Sequence, residues 1–158
     1  MSSAEAHSQM AGPIAAGKAQ PLTKGPLVGV VGPCGAGKST LVKALRQRGV
    51  RAREVAQEHS YVPAMWRRIT RPDVLIYLEV SREEAERRLQ RTLPAGWWKE
   101  ILQRLSHARS HADLAVTTDG RTPEEVLEKV LSFLMEYHRG TESTEALSVL
   151  EKSDGFGA

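Results

Sequence analysis

A chain of 158 residues, 41% hydrophobic and 26% charged, has the size and composition of one soluble globular domain that buries a core without a staple. Its single cysteine, Cys34, excludes an internal disulfide framework and suits a reducing, cytoplasmic setting, and no apolar run approaches bilayer-spanning length. The net charge of +3 comes from arginines spread along the chain, which suits a small anionic ligand better than nucleic acid or another long polyanion.

Residues 1–25, rich in Ala, Gly, Ser and Pro and without a basic start before an apolar core, read as a disordered N-terminal tail and not as a secretory signal. "LVGVV" (27–31) is an apolar, β-branched run of the kind found in a strand buried on both faces. Lys38 to Arg48 places Leu41, Val42 and Leu45 at helical spacing before Gly49, a natural C-terminal stop. A weaker strand is expected at "VRAREVA" (50–56) and a short helix in "PAMWRRI" (63–69). "DVLIYLEV" (73–80) reads as a second central strand. Ser81 then caps a helix with Glu84 three residues on, a capping box. That helix ends at Pro94 and Gly96, and another follows over 97–110. "LAVTT" (114–118) is the last strand. Thr122 caps the last helix, with Pro123 at its first position and Val126, Leu127, Val130, Leu131 and Leu134 as its buried stripe. Residues 139–158 read as a C-terminal tail with one short helix near 144–151. The folded unit is thus 26–138, and its alternation predicts an α/β fold with a parallel sheet covered by helices on both faces.

One segment carries chemistry. Gly32, Pro33, Cys34, Gly35, Ala36, Gly37, Lys38 and Ser39 satisfy G-x-x-x-x-G-K-[ST] at every fixed position, after a strand and before a helix. A polyphosphate needs many donors in a small volume, and backbone N–H groups supply them where no Cβ intrudes, as at Gly32, Gly35 and Gly37. The helix opening near Lys38 adds its positive dipole end. Lys38 is expected on the β and γ phosphates, the Ser39 hydroxyl on Mg²⁺, and Thr40 on an α-phosphate. Cys34 lies where a thiolate would be stabilised, although a tolerated small residue is the plainer reading. A second stretch, "GPIAAGKA" (12–19), has the glycines and lysine but neither the hydroxyl residue nor a preceding strand.

With these residues the chain resembles the P-loop kinases of nucleotides and small metabolites, the nucleoside monophosphate, shikimate and gluconate kinases among them. The resemblance rests on "GVVGPCGAGKSTLVKALRQRG", "RPDVLIYLEVSREEAERRLQR" and "HADLAVTTDGRTPEEVLEKVLSFL", and covers most of residues 26–138. It implies a three-layer P-loop fold with a short, mostly parallel sheet of about four strands, ATP and Mg²⁺ as cofactors, and a small anionic metabolite or nucleotide as acceptor. It makes Arg88 and Arg91 candidates for lid arginines that reach the transferring phosphoryl group; the alternative for both is the solvated face of an amphipathic helix. It also brings Asp119, Gly120 and Arg121 beside an adenine.

Only about ten residues separate Pro63 from Asp73, so one strand and helix of that family's core are missing, and with them the acidic strand end that holds the Mg²⁺ shell. The candidate replacement is Glu58 in "QEHSYVP", as metal-orienting carboxylate or base, with Gln57 and His59 as companions. Glu79 is another carboxylate near a strand end. "SYVPAMWRRITR" offers Tyr61, Met65 and Trp66 as an acceptor wall and Arg67, Arg68 or Arg71 for an anion, against Trp66 as ordinary core. His107 and His111 share a helix face but lack the glutamate of a zinc protease. Two functions stay open: an ATP-dependent phosphotransferase, and an ATP-binding or ATPase module with a switch role. A regulatory GTPase is disfavoured because no N-K-x-D segment occurs.

Overall fold

Short apolar runs separated by helix-bearing segments pair in parallel through crossovers, and these do. A computed structural model describes the backbone of residues 25–153, with side chains through residue 140. Its strands are β1 (Val28–Val31), β2 (Ala52–Glu54), β3 (Val74–Glu79) and β4 (Leu114–Thr117). The helices are α1 (Lys38–Gln47), α2 (Met65–Ile69), α3 (Arg82–Leu89), α4 (Ala95–His111) and α5 (Pro123–Ser153), with a 3₁₀ turn at Gln57–His59. The strands form one sheet in the order β2-β1-β3-β4, every neighbouring pair parallel. Val28 stands opposite Ala52 on one side and Val74 on the other.

Side chains of a strand alternate between faces, and the two faces bury separate clusters. Val74, Ile76 and Leu78 join Val28, Val30 and Val116 on the face covered by α1 (Leu41, Val42, Leu45), α3 (Ala85) and α5 (Val126, Leu127, Val130). Leu75 and Tyr77 join Val31 and Val55 on the other face, under Trp66 of α2 and Ile101, Leu105 and Ala108 of α4. The expected α/β fold with a parallel sheet between two helical layers is therefore present.

Three elements depart from expectation, one of them the helix capped by Ser81, which ends at Leu89, short of Pro94. The last helix does not stop near residue 138: its backbone runs on to Ser153 and absorbs both the start of the expected tail and the short helix placed at 144–151. Gly140 is the only strong helix breaker in that stretch, and one interior glycine costs about 1 kcal/mol, too little to end a long helix. The second strand is shorter than 50–56, because the amides of Gly49 and Val50 donate back to Arg46 O and Leu45 O. The expected tail at residues 1–24 and the "GPIAAGKA" stretch lie outside the described residues.

β1 ends against β3 at Gly32. A Cβ there would sit 2.5 Å from the Leu78 carbonyl oxygen, a backbone atom that moves only with its strand. Gly32→Ala is therefore expected to destabilise the fold by about 1–3 kcal/mol, read as a lower urea midpoint at unchanged m-value; an unchanged midpoint would contradict this packing.

Candidate functional site

The loop leaving β1 reaches α1 through two glycines in the left-handed region, Gly35 at φ 81° and Gly37 at φ 95°. Gly37 is the N-cap of α1, and no side chain caps that helix start. The loop is pressed on α3: a Cβ on Gly35 would lie 3.2 Å from Ala85. Small residues thus bring three elements, β1, α1 and α3, around one turn of backbone.

Lys38, first residue of α1, is buried and folded back over this loop. Its Nζ donates to Gly32 O at 2.6 Å and Pro33 O at 3.2 Å and pairs with Glu58 Oε1 at 3.1 Å, the two side chains 6% and 5% exposed. Ser39, exposed on the next position, donates to Glu54 Oε2 at 2.8 Å. Each functional side chain of the motif therefore faces its own carboxylate, and the one beside Ser39 is Glu54, not Glu58. Glu58 thus stands with Lys38 through Oε1 and not beside Ser39, whereas the hydroxyl and carboxylate of Ser39 and Glu54 form a pair of hard oxygen donors of the kind Mg²⁺ takes. Glu54 escaped sequence reasoning because β2 was extended to residue 56. Ending that strand at 54 puts a carboxylate at its C-terminal end, where ligands of open parallel sheets gather.

Glu58 is held in place from below. Gln57, fully buried, accepts from Trp66 N through Oε1 at 2.9 Å and donates to Val62 O and Arg104 O. Arg104 donates to Glu58 O at 3.1 Å and stacks on Tyr61, 4.0 Å from its ring centroid. Gln57 is thus a structural pin joining the turn to α4 and not a companion in chemistry.

Arg88 binds the loop to the end of β4. Its guanidinium donates to Gly35 O, Thr118 Oγ1 and Thr118 O at 2.9–3.0 Å, and to Glu84 at 3.0 Å. Hydrogen bonds from Arg87 first and Arg88 second hold the Glu84 carboxyl down at about 2. These residues line a cleft of about 440 Å³ with Gly37, Thr40, Gly120, Arg121 and the start of α5. Arg91 is not brought there: α3 ends at Leu89, Gln90 turns left-handed at φ 54°, and Arg91 stands exposed beyond it. Asp119 is also kept off this cleft, its Oδ1 accepting from Ser81 N at 3.0 Å. That bond takes the amide that Glu84 would claim in a full capping box, so only Glu84 N to Ser81 Oγ remains.

On the other side of the loop lies a second cavity of about 690 Å³, lined by Pro33, Tyr77, Glu79, Ser81, Arg109 and Asp119. Glu79 accepts from Arg109 Nε at 2.8 Å, and burial pushes the Tyr77 hydroxyl up to about 12, so it faces the cavity as a neutral phenol. The "SYVPAMWRRITR" segment contributes no residue to either of these two cavities. Trp66 is core, Tyr61 is 77% exposed, and Arg67 lies over the Trp66 ring.

His107 and His111 stack with ring centroids 4.2 Å apart, and His107 Nδ1 accepts from Trp66 Nε1 at 3.1 Å. Comparison with known proteins finds no protein-family model that matches this chain, and no curated protein that does.

Two expectations follow from the packing. Removing one partner of a buried ion pair strands the other charge, so Glu58→Ala and Lys38→Ala are each expected to lose about 3 kcal/mol in urea unfolding, with Glu58→Gln losing less. Burial first, then His111 and Arg67, push His107 below its usual 6.5, so the unfolded chain takes up this proton before the folded one. That contribution to stability is complete above the unfolded value and is lost as pH falls through it toward the folded value. Unfolding measured between about pH 7.5 and pH 5 should therefore show a smaller acid-side loss in His107→Gln than in the parent; equal losses would exclude His107 as the titrating group.

Proposed function

We propose that the chain is an ATP-dependent phosphotransferase of the P-loop kinase type, using Mg²⁺ and transferring a phosphoryl group to a small polar acceptor. One observation carries this reading: the G-x-x-x-x-G-K-S loop has its lysine and its serine each opposite a carboxylate, and Gly37 and Thr40 on either side of them line a cleft together with Arg88. Mg²⁺, when bound, would neutralise charge on the transferring group. Ser39 and Glu54 are the residues that would hold it.

Lys38 has two carbonyls and Glu58 as partners, so a phosphate has to draw the ammonium out of an existing ion pair. The same exchange frees Glu58 Oε1 at the loop, where a carboxylate within reach of an acceptor hydroxyl can take its proton. Arg88 is partly desolvated where it meets the loop carbonyl of Gly35. Its fixed guanidinium is a preorganised donor toward charge developing on a phosphoryl group in the cleft. Gly120 and Arg121 line the same cleft and are the residues placed to meet the base. The second cavity, with Pro33 of the loop in its wall, is the candidate acceptor site, and its existence favours a transferase over an ATPase module without an acceptor.

The test is incubation with Mg²⁺, ATP and a metabolite extract, followed by mass spectrometry for ADP and a new phosphorylated compound. Glu54→Gln and Ser39→Ala are expected to reduce product formation by about 100-fold or more while retaining the parent's unfolding midpoint within experimental error. Lys38→Ala should lose it too, but its stability has to be measured alongside because Glu58 is stranded. ADP without any phosphorylated product would move the assignment to the ATPase module, and unchanged turnover in Glu54→Gln would remove Glu54 from the site.

A further inference from the structure

The motif leaves Cys34 and His59 without a task, yet the fold brings both to Glu58. One donor atom from each of Cys34, Glu58 and His59 lies within 4.8 Å of the other two, the sole such grouping of three among the described residues. We propose that these three residues bind a thiophilic divalent cation of the zinc class at the outer lip of the loop.

The second observation is the state of Glu58. Its Oε1 serves Lys38 at 3.1 Å and stands 3.5 Å from His59 Nε2, whereas Oε2 is buried with no hydrogen-bond partner. A buried carboxylate with one oxygen lacking a donor is costly, and a cation on that carboxylate, shared with Cys34 and His59, offsets the cost. The donor set selects the ion. Thiolate and imidazole beside one carboxylate suit Zn²⁺ and its thiophilic neighbours, whereas Mg²⁺ prefers an all-oxygen shell. Zinc bonds of about 2.0–2.3 Å place tetrahedral donors roughly 3.5 Å apart, so donors that lie within 4.8 Å of one another need close by little more than about an ångström at most. His59, 64% exposed, and the half-buried Cys34 can turn to do so. On binding, the Cys34 thiol releases its proton to solvent and its sulfur forms the bond to the metal; water completes the fourth position.

Occupancy has a consequence at the loop, which rests on the nucleotide reading given above. A dication on Glu58 removes the negative charge that the Lys38 ammonium faces and sits on Cys34, inside the phosphate-binding turn. Zinc thereby loosens Lys38 from its carboxylate and eases the entry of a nucleoside triphosphate at the loop.

The metal site is tested first, without nucleotide, by titrating the full chain with Co²⁺ and following the thiolate-to-cobalt charge-transfer band, then displacing Co²⁺ with Zn²⁺. The expected result is a band saturating at one equivalent, absent in Cys34→Ser, with binding to His59→Ala weakened by more than about tenfold. Circular dichroism shows that each variant is folded; His59 is exposed and its loss does not threaten the core. No band, or one that persists in Cys34→Ser, overturns the site. A second titration uses a fluorescent ATP analogue with Mg²⁺, and one equivalent of Zn²⁺ is expected to tighten its binding at least about tenfold. Unchanged or weakened binding overturns this coupling. No binding of the analogue with or without zinc counts against the nucleotide reading alone and leaves the metal site standing.

Discussion

The ion pair between Lys38 and Glu58 is the constraint around which the functional end of this protein is arranged. Both charges are out of water, and a buried pair survives only if geometry and further hydrogen bonds compensate for desolvation. Lys38 obtains these from Gly32 O and Pro33 O. Glu58 is held through its own backbone by Arg104. The loop, the 3₁₀ turn and α4 are therefore one unit: a shift in any of them leaves a buried charge alone.

That unit gives the proposed phosphotransferase a resting state with the motif lysine engaged. A ligand does not meet a free ammonium; it has to offer more negative charge than one carboxylate and two carbonyls do together. A polyphosphate does, and a single weak anion does not, so the pair acts as a threshold for occupancy. The same carboxylate links the loop to Cys34 and His59, which is why a metal there and a nucleotide at the loop bear on one another.

The arginines show how position separates like residues. Arg87, Arg88 and Arg91 lie within five positions, yet only Arg88 makes the bonds that join the loop, β4 and α3. Its place on α3 points it between Gly35 and Thr118, whereas the left-handed turn at Gln90 carries Arg91 past the end of the helix. Asp119 and Gly120 are adjacent, but Asp119 turns back to Ser81 and Gly120 opens on the cleft.

Much of the fold was legible in the chain because its signals are local. β-branched runs of the length of "LVGVV", caps such as Thr122 and Ser81, and the loop motif act over a few residues, and they place four strands and the main helices near their observed ends. The length of the last helix was not legible, since it is decided by continued helical propensity across Gly140 against a turn signal of similar strength. The partners of the motif were not legible either. Glu54 and Glu58 are four residues apart and equally acidic, and nothing in their spacing says which meets Ser39 and which meets Lys38. By itself the sequence determined an α/β chain with a glycine-rich loop between its first strand and helix, because period, capping and backbone freedom are properties of neighbouring residues. Only tertiary structure assigned each carboxylate its partner and gathered Cys34, Glu58 and His59, because those contacts depend on β2 lying parallel beside β1 and on the 3₁₀ turn being pinned beneath it.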